Sequence, residues 1–127
     1  LKKYSKNSIN FIFTPHLSPM FKGILSTIYI DVQKGNSQNK IKNILKNFYK
    51  HENFVKILKN DNFISTNDVI NTNNCIISIC KTKYKDRFII LSAIDNLIKG
   101  GAGQGVQNMN IKFGFPIKTG LIWNISN

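Results

Sequence analysis

The hydrophobic pattern divides the chain into short blocks with different periods. Ile9 to Thr14 (INFIFT) is apolar and aromatic, and Pro15 biases Thr14 toward extended backbone, so a strand is expected to end there. From Gly23 to Val32 the residues alternate, with Ile24, Ser26, Ile28 and Ile30 on one side and Leu25, Thr27, Tyr29 and Asp31 on the other. That pattern predicts a long strand with both faces partly covered. Gly35-Asn36 marks a turn, and Ser37 is placed to cap a helix with its hydroxyl. Ile41, Ile44, Leu45, Phe48 and Tyr49 follow at helical spacing, with Lys40, Lys42, Lys46 and Lys50 elsewhere on the wheel, which predicts an amphipathic helix.

The second half reads as two strands and a glycine-rich segment. Phe54 to Leu58 fits either a short strand or more helix, while Asp61-Asn62 and Ser65 to Asp68 read as loops. Val69 to Cys80 and Arg87 to Ile94 are expected to be strands joined by the Lys-rich turn Lys81 to Asp86. Asp95 to Phe113 has no proline, and at helical spacing Ile98, Ala102, Gly105, Val106, Met109 and Phe113 share one narrow face, with Leu97, Gly101, Gln104 and Asn108 on a second. Gly100, Gly101, Gly103 and Gly105 should each cost a helix about 1 kcal/mol relative to alanine. Either another backbone or a ligand approaches them closely, or 100–105 is a loop and helix begins at Val106. Strands mixed with two helices give an α+β class, a mixed, largely antiparallel sheet with helices packed on it.

Composition adds limits. A chain of 127 residues fits one domain, and its 42% hydrophobic and 19% charged residues suit a folded core. No apolar run approaches the ~18 to 20 residues of a spanning helix, and Leu1-Lys2-Lys3 leads into polar residues rather than an apolar signal core. No membrane association is expected, the location expected is cytoplasmic, and a start at Leu suggests a chain cut from something longer. The net charge of +12 raises nucleic-acid binding as a question. Yet 17 of the 18 basic residues are Lys and only Arg87 carries the planar fork that phosphate and base recognition favours. Ile, Lys and Asn together make up 56 residues, so AT-rich coding accounts for the charge more simply. No nucleic-acid partner is expected.

Familiar chemistry is missing from the spacing. Cys75 and Cys80 lie an odd number of residues apart on an expected strand, so their side chains point to opposite faces, and with His16 and His51 they match no zinc pattern. They are expected to be small apolar residues in a reducing compartment, with no disulfide and no metal. The run GGAGQG fails the dinucleotide motif because Val106 stands in place of the third glycine and no βαβ context surrounds it. None of the six carboxylates pairs closely with another by sequence.

Two blocks carry a resemblance. Phe13-Thr14-Pro15-His16-Leu17, Pro19-Met20 and Gly23-Ile24-Leu25 with Thr27 and Tyr29 form the first. Asp95-Asn96-Leu97, Lys99-Gly100, Gly103-Gln104 and Val106-Gln107-Asn108-Met109-Asn110, followed by Phe113-Gly114 and Gly120-Leu121, form the second. Together they resemble the C-terminal domain of the N-acetyl-gamma-glutamyl-phosphate reductase family, with Asn73-Asn74-Cys75 where that family has an Asn-containing strand. Aspartate-semialdehyde dehydrogenases share part of the second block, but Gln107-Asn108-Met109-Asn110 and the FTPHL block favour the reductase. Departures are Lys22 where the family usually has Arg, and Gly101 and Gly105 where it usually has Ala.

The resemblance implies an NADP-dependent acyl-phosphate reductase of arginine biosynthesis, with a fold like the C-terminal domain of the semialdehyde dehydrogenases. On that reading 1–127 is the substrate-binding and dimerisation domain, and 95–113 is a closing helix that returns toward a nucleotide-binding domain upstream. The family's cysteine nucleophile and histidine acid/base would also lie upstream, so no catalytic residue is assigned here and the chain alone is expected to be inactive. Gln104 and Asn108 are the expected contacts to the nicotinamide carboxamide, the alternative being that both satisfy buried backbone groups at the domain junction. Lys22 is expected to face the anionic groups of the acyl-phosphate substrate, and His16 to orient the Pro15 to Pro19 loop beside it. The partners implied are the nucleotide-binding domain and further copies of the same chain. The rival readings are a non-catalytic structural remnant of this fold and, behind it, a basic nucleic-acid module.

Overall fold

The computed structural model describes residues 10–59 and 63–122. Four strands form one sheet: β1 (Ile24–Asp31), β2 (Val55–Ile57), β3 (Cys75–Lys81) and β4 (Arg87–Ile94), in the order β1-β4-β3-β2. β1 with β4 and β3 with β4 are antiparallel, and β2 with β3 is parallel, so the sheet is mixed and largely antiparallel as expected. Among the described residues the sheet is accompanied by two α-helices, α1 (Gln38–Phe48) and α2 (Gly103–Phe113).

Each face of the sheet has its own apolar cluster. On the α1 side Ile41 and Leu45 pack with Ile79, Phe88 and Ile90 and with Ile30 and Val32. On the opposite side Cys80, Leu91 and Ala93 pack with Ile64 and Val69 from the β2–β3 connection. The alternation in β3 and β4 produces this division, because residues two apart share a face. α1 starts where Ser37 accepts the Lys40 N–H at 3.2 Å, as its position predicts. Lys42 corrects the wheel: it is buried, and its Nζ donates to the Lys59 carbonyl at 3.1 Å, the aliphatic stem lying inward. Ile44 and Phe48, expected on the packed side, remain exposed.

Other expectations change as well. Residue 9 lies outside the described residues, and 10–14 form no strand; Ile12 and Phe13 are 94% and 79% exposed. Apolar side chains alone do not make a strand, which needs a hydrogen-bonded neighbour. β1 is an edge strand with six of its eight residues exposed, so its two faces are not covered as its alternation predicts. The strand expected from Val69 begins only at Cys75, because 69–74 is a turn stitched by Thr72 N–H to Val69 O at 3.0 Å and Asn74 N–H to Thr72 Oγ1 at 3.2 Å. Residues 66–68 are a 3₁₀ turn rather than plain loop, fixed by a Ser65/Asp68 capping box. Asp61-Asn62 lies outside the described residues.

The glycine-rich segment combines both readings. Ile98–Ala102 forms a wide π-type turn, Gly101 within it leaves helical geometry, and regular helix begins at Gly103. The expected apolar face is not the buried one: Gly103, Gln107 and Asn110 are buried, while Met109 and Phe113 are 46% and 65% exposed. Gly103 is the most closely approached glycine of the run, since a Cβ there would lie 2.5 Å from Asn73 Oδ1, against 3.2 Å from the Asn96 carbonyl oxygen at Gly101.

Candidate functional site

The two sequence blocks meet around one buried carboxylate. Asp95, at the end of β4, is fully buried and accepts three backbone N–H groups: Asn71 at 2.9 Å, Leu97 at 2.8 Å and Ile98 at 3.0 Å. Burial pushes its carboxyl upward, but these N–H donors and nearby Lys22 outweigh that and hold it below the ordinary aspartate value. Asp95 thus caps the entry to the final helical segment and anchors the 69–74 turn at the same time.

Lys22 is tied to this hub from outside. Its Nζ donates to Asn71 Oδ1 at 2.9 Å, a contact across 49 residues. Gly23, next to it, donates its N–H to Asn96 Oδ1 at 2.7 Å. Gly23 has φ +107° and lies so close to Thr66 that a Cβ would fall 2.5 Å from that residue's Cβ, which fixes glycine here on two counts. The backbone carrying Lys22 is therefore pinned by Asn96, and its ammonium by Asn71.

A second cluster joins the turn to α2. Asn73, 1% exposed, donates to Gln107 Oε1 at 2.9 Å, and Lys99 Nζ donates to the same oxygen at 2.8 Å while lying 5.7 Å from the centre of the Phe54 ring. Desolvation lowers the Lys99 pKa from the ordinary lysine value, partly offset by Cys75 and Glu52. Asn110 donates to the carbonyls of Ile117 at 3.2 Å and Thr119 at 2.9 Å, holding the closing turn against α2. The buried amides of this helix are thus Gln107 and Asn110, not Gln104 and Asn108, and only Asn110 satisfies backbone groups. The signal was present as the spacing Gly103, Gln107, Asn110, one helical face of small and amide residues that an apolar search passes over.

The structure places the remaining expected residues as follows. Gln104 and Asn108 are exposed on α2, one turn apart, with Gln104 Nε2 3.4 Å from Asn108 Oδ1. An exposed amide pair in this arrangement has a carbonyl oxygen on Gln104 and an amide nitrogen on Asn108 to offer outward, which fits the donor and acceptor of a carboxamide. His16 is exposed in the loop before β1, and among the described residues no hydrogen bond joins it to Lys22. Cys80 is buried in the core, and Cys75 is half-buried with Sγ 3.4 Å from Ser92 Oγ. A groove of about 280 Å³ runs beside the 69–74 turn, bordered by Asn71, Asn74, Lys56 and Lys118.

Comparison with known proteins places this architecture. A family model described as the semialdehyde dehydrogenase dimerisation domain matches residues 1–96. The chain belongs to that family. It is 46% identical over 121 residues to the N-acetyl-gamma-glutamyl-phosphate reductase of Thermoanaerobacter pseudethanolicus, covering 95% of this chain and 35% of that protein. The proteins of the same name from Halothermothrix orenii and Geotalea daltonii are 41% and 47% identical, over 95% and 89% of this chain and 35% and 33% of theirs. The chain spans about a third of the length of the curated relatives it matches. Among the described residues no helix is long and apolar enough to cross a membrane.

Proposed function

We propose that this chain is the C-terminal, substrate-binding and dimerisation part of an NADP-dependent N-acetyl-gamma-glutamyl-phosphate reductase, which converts the acyl phosphate to the semialdehyde in arginine biosynthesis. The observation that carries the reading is the Lys22–Asn71–Asp95 connection, which with the Gly23 N–H to Asn96 bond ties the end of the first block that resembles the family to the start of the second. Relatives of that name at 41–47% identity support it from outside.

Within the whole protein the family resemblance, together with the Lys22–Asn71 and Gln104–Asn108 contacts, supports the following division of labour. Lys22, held at its nitrogen by a neutral amide, keeps its charge and its remaining N–H donors for an anionic group of the substrate. His16 orients the loop beside it. Gln104 and Asn108 meet the carboxamide of the nicotinamide, and NADPH when bound supplies the hydride. Cys75 has a serine hydroxyl beside it and lies outside the motif that carries the family's nucleophile, so that role is assigned to the upstream part of the whole protein. Dimerisation is supported by the family's description and by β1, an edge strand that leaves Ile24, Leu25, Ile28 and Tyr29 exposed.

The test uses the full-length protein that contains this segment. NADPH oxidation is expected to depend on added N-acetylglutamyl phosphate, and Lys22→Ala is expected to raise the KM for that substrate roughly tenfold, the scale of one charge-assisted hydrogen bond. An unchanged KM would remove Lys22 from the substrate site, and oxidation without an acyl phosphate would remove the assigned reaction.

A further inference from the structure

Asn71 is the one described residue other than glycine with a positive φ, +60°. Glycine is the residue such a conformation favours, so an asparagine there raises the question of what its side chain supplies. The backbone around it is fixed independently of that side chain. Its N–H goes to Asp95 Oδ2 at 2.9 Å, and the turn is closed by Thr72. What the amide adds is a single long-range contact, Oδ1 accepting from Lys22 Nζ at 2.9 Å.

We infer that Asn71 is a positioning residue for Lys22, an amide held in left-handed backbone so that its oxygen fixes the ammonium in place for the substrate's anion. The inference rests on the substrate role given to Lys22 above. The chemistry suits that task. A lysine carries a point charge on a flexible four-carbon stem, so without a second anchor its nitrogen samples many positions. A carboxylate in place of Asn71 would anchor it but neutralise the charge that the anion needs, whereas an amide oxygen anchors it and leaves the charge in place. The nearby carboxylate of Asp95 is already engaged by three backbone N–H groups. Asn71 also borders the 280 Å³ groove, so the residue that holds Lys22 lies at the rim of an open space. Through Asp95 the same turn is tied to the entry of the final helix, which joins the position of Lys22 to the segment bearing Gln104 and Asn108.

The experiment is a double-mutant cycle in the full-length protein with Asn71→Gly, Lys22→Ala and the pair. Asn71→Gly keeps the positive φ and removes only the amide, so folding is retained, as the thermal midpoint will report. It is expected to raise the KM for the acyl phosphate roughly threefold to tenfold, with kcat and the KM for NADPH within about twofold. In the Lys22→Ala background the same change should have almost no further effect. An Asn71→Gly protein that loses thermal stability with its acyl-phosphate KM unmoved would overturn the inference, as would an effect of equal size with and without Lys22. In both of those cases Lys22→Ala still raises the KM and the substrate role of Lys22 stands. If Lys22→Ala itself leaves that KM unchanged, the role of Lys22 fails and the positioning role falls with it.

Discussion

Asp95→Ala is expected to destabilise the fold by about 3 to 5 kcal/mol, because it strands three backbone donors around a fully buried site. The replacement leaves Asn71, Leu97 and Ile98 without the acceptor that ties the 69–74 turn to the head of the final helix. Asp95→Asn keeps the shape and one oxygen, and is expected to cost about 2 kcal/mol. Unfolding by heat or urea measures both, and a midpoint within a degree of wild type for the alanine variant would contradict the role of the carboxylate.

The sign of the pH dependence follows from the lowered pKa of Asp95. In the unfolded chain the carboxyl titrates near 3.9, about the model-peptide value. Because the folded value lies below it, the stabilisation is fully present above about pH 4 and is lost as pH falls through the folded value. The stability gap between wild type and Asp95→Asn should therefore be constant from neutral pH down to about pH 4 and narrow below it. A gap that widened in acid would mean that the group is not an anion in the folded state.

Gly103→Ala is expected to be the second severe change, at about 2 to 4 kcal/mol. The new Cβ would lie 2.5 Å from Asn73 Oδ1, 2.7 Å from Ile98 Cγ2 and 2.8 Å from the Ile98 carbonyl oxygen. Backbone cannot retreat as a side-chain tip can, so the clash must move either the helix or the Asn73–Gln107 pair, and with it the oxygen that Lys99 uses. Gly105→Ala provides the control. It lies in the same helix, nothing is within 4 Å of its Cβ position, and the substitution should stabilise by about 0.5 to 1 kcal/mol through helix propensity alone. Opposite signs for one chemical change two residues apart would establish that packing against Asn73, and not helix propensity, fixes glycine at 103. Two effects of the same sign would contradict it.

These contrasts also show what the sequence conveys. β4 and the start of α1 were legible because two-residue alternation and a serine cap are local signals. The block 10–14 was misread for the opposite reason: its composition suits a strand, but a strand depends on a partner that the block itself cannot reveal. Val69 is fully buried yet sits in a turn, because apolar burial alone does not distinguish a strand from a packed corner. Of the candidate residues, Lys22, His16, Gln104 and Asn108 rest on family resemblance, and the structure joins Lys22 to Asn71 and Gln104 to Asn108. The contacts that join Asn71 to Lys22 and Asp95, and Asn73 to Gln107, needed coordinates, since they span 24 to 49 residues and leave no periodic trace.

The measurement that tests the central claim most directly is the reverse reaction of the full-length protein, followed as phosphate-dependent NADP⁺ reduction. N-acetylglutamate semialdehyde and aspartate semialdehyde are supplied separately. Turnover with the first and at most a trace with the second is the expected result, because the closing block and the loop before β1 resemble the glutamyl-phosphate enzyme. Turnover with aspartate semialdehyde alone, or with neither, would contradict the account.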